Sequence, residues 1–280
     1  MASLRTVRTG LDFGEGPRWH EGRLWYSDFY RHAVFALDDA GVEERIVALD
    51  DQPSGLGWSP DGDLLVVAMI GQKVLRIEAG RPVEHADLSP LAVGKCNDMV
   101  VAADGTAYVG CFGFDLEAGE TPRPTRLLRV DPDGAVSVAA DEMWFPNGAV
   151  ITPDDRTLIV GETFGGRFTA FTIGDDGTLA DRRVWAEVPG HAPDGCCLDA
   201  EGAIWFADPV TDEVVRVREG GEIVDVVATS QSAVACMLGG PGRRTLYVLS
   251  SPGTHPDDVA GRAGGRIEAL EVDVPGAGRP

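Results

Sequence analysis

The sequence predicts an all-β protein: a single six-bladed β-propeller over residues 1–280, with four antiparallel strands per blade and the last blade closed by the N-terminal strand. Three observations predict it. A unit of apolar run, tight turn, second run, second turn and third run recurs six times along the chain. Its starts lie about 40 to 50 residues apart, the period of a propeller blade. Glycine (36) and proline (18) are abundant and fall between short runs rich in Val, Thr, Trp, Tyr and Phe, as closely spaced strands and turns require. No long segment carries the 3.6-residue period that an α/β fold needs, and a β-sandwich would need no repeated unit.

The first copy is Gly14 to Asp38, GEGPRWHEGRLWYSDFYRHAVFALD, and the second starts at Ser54, SGLGWSPDGDLLVVAMIGQKVLRIE. The third, NDMVVAADGTAYVGCFG from Asn97, has its third strand, RLLRVD, delayed by the insertion Phe114 to Thr125. The fourth starts at Asn147 (NGAVITPDDRTLIVGETFGGRFTAFTI), the fifth at Asp194 (DGCCLDAEGAIWFADPVTDEVVRVR) and the sixth at Ala235 (ACMLGGPGRRTLYVLSS). A Gly/Pro/Asp-rich loop interrupts the sixth before GRIEALEV. Five units end in a more polar fourth run: ERIVALD, PVEHADL, VSVAAD, RRVWAEV and IVDVVAT. The sixth lacks one, and Leu4 to Gly10 is the spare strand that fills the gap. Inner strands are then small and apolar, and outermost strands charged, as suits an edge.

A formal net charge of −21 argues against nucleic acid as a partner, since phosphates would be repelled. The five cysteines show neither C-x-x-C spacing nor paired histidines, so neither a zinc knuckle nor a disulfide framework is expected. The N-terminus has no apolar signal-like core, and no stretch approaches a membrane span. The expectation is a cytoplasmic protein, monomeric or weakly self-associating, with a small-molecule substrate and no membrane partner.

Laying the copies over one another separates scaffold from chemistry. The turn positions Asp61-Gly62, Asp104-Gly105, Asp154-Asp155 and Glu201-Gly202 serve hairpins. One column differs: Glu15, Ser54, Asn97, Asn147, Asp194 and Ala235 stand where each inner strand begins beside the axis, and most of them bear oxygen. In a ring such residues converge. Two carboxylates, Glu15 and Asp194, would repel by about 4 kcal/mol at 4 Å and an effective dielectric of 20, so either a proton is shared or a cation is bound. With Asn147, and with Asn97 alongside, the donors are hard oxygens suited to Ca²⁺, Mg²⁺ or Mn²⁺, or to Zn²⁺ with water completing its shell. The bland alternative is that Asn and Asp after proline (Pro146-Asn147, Pro193-Asp194) are turn formers. Glu162 and Asp208, with Asp28, end second strands in equivalent places and are either an inner support or solvent-facing strand ends. His191, in the loop before Asp194, is either at the cavity entrance or simply solvated.

The motifs GEGPRW, NDM with DGTAYVG, FPNGAVITPDDRTLIV and PDGCCLDAEGAIWFA, in that order, resemble the gluconolactonase family, also called the senescence marker protein or regucalcin family, over nearly the whole chain. The resemblance implies a six-bladed propeller holding one divalent cation on Glu15, Asn147 and Asp194, with Asp194 as general base. It places Asn97, with its motif neighbours Lys95 and Asp98, on the substrate side. It implies metal-assisted hydrolysis of a sugar lactone or related cyclic ester. Two departures bear on the substrate. Lys95 stands where regucalcin-like members have an arginine, which replaces a bidentate clamp by a point charge, and Gly110-Cys111-Phe112 replaces their Gly-Thr-Met run. Both leave room for a less polar ring substituent. The same scaffold could instead act on aryl esters or phosphotriesters, or serve as a non-catalytic interaction platform.

Overall fold

The computed structural model describes residues 4–280. Six antiparallel sheets stand around a common axis. From the inside outward, blade 1 is Gly14–His20, Arg23–Asp28, Ala33–Leu37 and Glu43–Ala48. Blade 2 is Pro53–Trp58, Leu64–Ala68, Lys73–Glu78 and Arg81–Asp87. Blade 3 is Cys96–Val101, Ala107–Cys111, Thr125–Val130 and Val136–Met143. Blade 4 is Pro146–Ile151, Thr157–Glu162, Arg167–Ile173 and Leu179–Glu187. Blade 5 is Cys196–Asp199, Ile204–Asp208, Glu213–Val217 and Ile223–Ala228. In blade 6, Ser232–Gly239, Thr245–Ser251 and Gly265–Glu271 are completed by the N-terminal strand Arg5–Leu11, which pairs from Arg5↔Ala269 to Leu11↔Gly265. The ring is thus closed by the two ends of the chain, as the missing fourth run requires.

The two inner strands of each blade are almost wholly buried, whereas the fourth strands are mostly exposed or half-buried. The core is therefore the stack of blade faces. Neighbouring inner strands approach so closely that a side chain between them would collide: a Cβ on Gly148 would lie 2.5 Å from the carbonyl oxygen of Asp194 and 2.6 Å from the amide of Cys196. Glycine follows the column residue in four of the six units (Glu15-Gly16, Ser54-Gly55, Asn147-Gly148, Asp194-Gly195). The missing Cβ is what lets the column converge.

One feature departs from four strands per blade. The C-terminal Gly276–Ala277 adds a fifth strand inside blade 5, against Leu198 and Asp199, and Arg279 exchanges two backbone hydrogen bonds with Ile151 of blade 4. The tail satisfies the inner edge that blade 5 would leave unpaired at the rear of the channel. At the front, the blade 6 loop carries the short helix Pro256–Val259 and is pinned by Asp12, which accepts the amides of Gly261 (3.0 Å) and Ala263 (2.8 Å). Among the described residues no helix is long and apolar enough to cross a membrane. All five cysteines are buried and unbridged.

Candidate active site

Each inner strand starts at the front of the ring, and the residues at those starts share one cavity of about 480 Å³. Glu15, Asn97, Asn147 and Asp194 all line it; Ser54 and Ala235 do not. Ser54 is buried off the lining, and the segment Ala233–Met237 of blade 6 is apolar and buried. Lys95 also lines the cavity, but its Nζ is held 2.6 Å from Oε1 of Glu117, a residue of the blade 3 insertion. Asp98 is not on the lining. The strand ladder is irregular between Cys96 and Met99, and there, with Asn97 on the cavity, Asp98 is held by Arg18, whose Nη2 lies 2.6 Å from Oδ1 of Asp98. Arg18 also donates to the carbonyls of Leu56, Pro17 and Met99, which ties the first three blades together beneath the site.

The site strands are positioned by a device that three blades share. Second strands end in Asp28, Glu162 and Asp208 in blades 1, 4 and 5, all three fully buried. Asp28 accepts the amides of Asp12 (3.0 Å) and Phe13 (3.1 Å). Glu162 accepts the amide of Trp144 (2.7 Å), pairs with Arg167 (2.9 Å) and bonds the Thr169 hydroxyl. Asp208 holds Nδ1 of His191 at 2.7 Å and accepts the amides of Val210 and Thr211. Asp12, Trp144 and His191 each stand three residues before Glu15, Asn147 and Asp194. These carboxylates are thus inner supports, not solvent-facing strand ends, and His191 belongs to this support rather than to the cavity wall.

A second link crosses from blade 4 to blade 5. The Thr163 hydroxyl donates to the Pro193 carbonyl at 2.7 Å, and its oxygen accepts from Nδ2 of Asn147 at 3.2 Å. With its proton committed to Pro193, Thr163 can only accept from Asn147, so the Asn147 amide turns its NH₂ that way and leaves Oδ1 free. Sequence reasoning had no signal for Thr163. The cavity-wall residues carry no polar signature either: Phe29, Met69 and Phe164 stand within the repeated units just past their second strands, and Phe13 and Phe145 just before a unit begins.

The floor is electrostatically unbalanced. Burial pushes the Glu15 carboxyl well above its ordinary range, the charges of Asp194 and Asp98 push it further, and the Gly16 amide and Arg18 oppose them. Asp194 is also raised well above its ordinary range by burial, and further by Asp98 and Asp208, while Asn147 and the Gly195 amide act in the other direction. Glu15, Asp98 and Asp194 carry three formal negative charges against the single positive charge of Arg18. Nδ2 of Asn97, on the cavity lining, is buried without a partner. Among the described residues no three His, Cys, Asp or Glu side chains cluster as a metal site; the expected set has two carboxylates and an amide. Two carboxylates destabilised by burial and by neighbouring negative charge, beside a free amide oxygen, are a hard donor set that a divalent cation fits.

The chain is 28% identical to the protein named pentonolactonase XacC of Haloferax volcanii, over 100% of this chain and 97% of that one. It is 25% identical to the 6-deoxy-6-sulfogluconolactonase of Pseudomonas putida, over 98% and 96%. Among solved structures, the regucalcin of Agrobacterium tumefaciens, described as a calcium-binding protein, superposes with a TM-score of 0.84 at 22% identity, covering 100% of this chain and 97% of that one. Residues 13–252 match the SMP-30/gluconolactonase/LRE-like region, a span that begins just before Glu15 and takes in Asn97, Asn147 and Asp194. With its six blades and its polar floor, the chain belongs to the SMP-30/gluconolactonase/LRE-like family.

Proposed function

We propose that the protein is a divalent-metal-dependent hydrolase that opens a lactone. The observation that carries this reading is the floor of the cavity, where burial raises the proton affinity of both Glu15 and Asp194, and the charge of Asp194 raises that of Glu15 further, beside the amides of Asn147 and Asn97. Glu15, Asn147 and Asp194 would hold a Ca²⁺, Mg²⁺, Mn²⁺ or Zn²⁺ ion, which when bound polarises a carbonyl and makes water more acidic. Asp194 accepts the proton of the attacking water as its oxygen bonds to the lactone carbonyl carbon. Asn97 supplies an N–H that no protein atom uses, directed to the oxygen on which negative charge develops. The ring C–O bond then breaks, and the carboxylic acid of Asp194 returns the proton to the departing alkoxide, which leaves a hydroxy acid. The lactonase names of two relatives that span nearly the full chain support the same reaction class.

Asp194→Ala should abolish lactone turnover, by about 10³-fold or more, in a protein whose circular dichroism matches wild type, and a chelator should do the same to wild type. Near wild-type activity in either case contradicts the proposal. A panel of lactones, aryl esters and phosphotriesters assayed with added cation decides between the lactone reading and the other esters that the same floor could serve.

A further inference from the structure

The cavity has two chemically distinct parts. Its floor is formed by the starts of inner strands and holds Glu15, Asn97, Asn147 and Asp194. Its walls come from loops and are aromatic or aliphatic: Phe13, Phe29 and Met69 on one side, and Phe112, Phe145 and Phe164 on the other. The second group is packed as a unit, with the Phe145 ring 4.5 Å from Phe112 and 5.2 Å from Phe164. Phe145 sits at a φ of +58°, a left-handed conformation that a bulky residue adopts only where its surroundings impose it. That backbone is held by the Thr163 amide, which donates to the Phe145 carbonyl. The rim carries Leu116, Phe164 and Val210, which are 44%, 44% and 72% exposed, and apolar side chains collected at the mouth of a pocket mark a surface that an apolar ligand covers.

The charge pattern points the same way. Among the described residues Lys95 is the one cationic residue on the lining, and Glu117, also on the lining, takes up its amine. The walls therefore offer no free cation for a carboxylate, sulfonate or phosphate. Tyr30, Gln52, Thr254 and His255 are the uncharged polar side chains that remain above the floor, a minority among the apolar ones. A sugar ring whose hydroxyls lay against these walls would leave most of them without partners.

We infer that the substrate, on the lactone-hydrolase reading above, is an uncharged lactone bearing an apolar alkyl or aryl substituent, rather than a polyhydroxylated or anionic sugar lactone. The ester group lies on the polar floor and the substituent against the phenylalanine walls, while Glu117 excludes anionic rings by occupying Lys95.

The test uses the full chain with added Ca²⁺ and three probes: a pentyl-substituted δ-lactone, glucono-δ-lactone, and a δ-lactone with a carboxylate substituent. The expected kcat/KM for the pentyl lactone exceeds that for glucono-δ-lactone by at least about tenfold, the discrimination that a few methylenes in an apolar pocket provide. Phe164→Ser and Phe112→Ser should each cut the ratio of kcat/KM for the pentyl lactone to that for glucono-δ-lactone by about tenfold. Glu117→Gln should lower KM for the anionic lactone several-fold by freeing Lys95. Equal or better turnover of glucono-δ-lactone by wild type overturns the inference and leaves the lactonase reading standing. The pentyl-substituted δ-lactam, which is not hydrolysed, separates the two in the other direction. If no lactone is opened, the lactonase reading fails, and calorimetric binding of the lactam that weakens about tenfold in Phe164→Ser still upholds the apolar site, while no binding, or binding indifferent to Phe164, overturns it.

Discussion

Blades 1, 4 and 5 differ from blades 2, 3 and 6 at a single strand end. The first three carry Asp28, Glu162 and Asp208 there, buried and bonded to the segment that leads into Glu15, Asn147 or Asp194. The other three carry Ala68, Cys111 and Ser251, and their column residues are Ser54, Asn97 and Ala235. A buried carboxylate is costly unless its acceptors are used. The ring tolerates three of them where Asp28 and Glu162 fix the backbone, and Asp208 the His191 side chain, three residues ahead of a proposed ligand. Fold and site are thus separable: all six blades build the propeller, and three carry in addition a buried carboxylate behind a proposed ligand.

Glu162→Ala should break the comparison most severely. It leaves the Trp144 amide unpaired and Arg167 without its carboxylate, at a cost of about 3 kcal/mol, read as a lower midpoint in urea, and it should weaken cation affinity because Asn147 loses its support. A loss below about 0.5 kcal/mol would mean that the carboxylate is incidental.

Glu15→Gln sharpens the comparison from the other side. Burial and neighbouring charges raise the Glu15 proton affinity in the folded protein. The metal-free fold therefore binds more protons than the unfolded chain between the ordinary carboxylate range and the raised value, and its stability falls as pH rises through that window. Glu15→Gln should stabilise chelator-treated protein at pH 7 by about 1 to 3 kcal/mol, with the difference vanishing below about pH 4. Melting temperatures across pH decide it, and a destabilised variant at pH 7 contradicts it. Smallest is Ser251→Ala in blade 6. The Ser251 hydroxyl is buried without a partner, so its removal should change stability by less than about 0.5 kcal/mol.

The propeller was legible in the sequence because a blade is a repeated unit, and repetition exposes the position of every strand, including the N-terminal one that closes blade 6. The column of Glu15, Asn97, Asn147 and Asp194 was legible for the same reason. Three things were not. Asp98 shares a motif with Asn97, yet at the irregular start of that strand it pairs with Arg18 of blade 1. Glu117 lies in an insertion without a counterpart in other blades, so its pairing with Lys95 left no pattern. The phenylalanine walls come from loops just before and just past the strands of the repeat, and the C-terminal strand at Gly276–Ala277 from a segment beyond the last unit, and in both only packing in three dimensions decides what meets what.

The measurement that bears most directly on the specialised blades is cation stoichiometry on the purified full chain, by elemental analysis together with calorimetric titration. The expected result is a single divalent cation per chain that raises the melting temperature, is lost in Asp194→Asn and Glu15→Gln, and is retained in Ser251→Ala. A chain that binds no divalent cation, or an Asp194→Asn variant that binds it as wild type does, would contradict the assignment of Glu15, Asn147 and Asp194 to a metal centre.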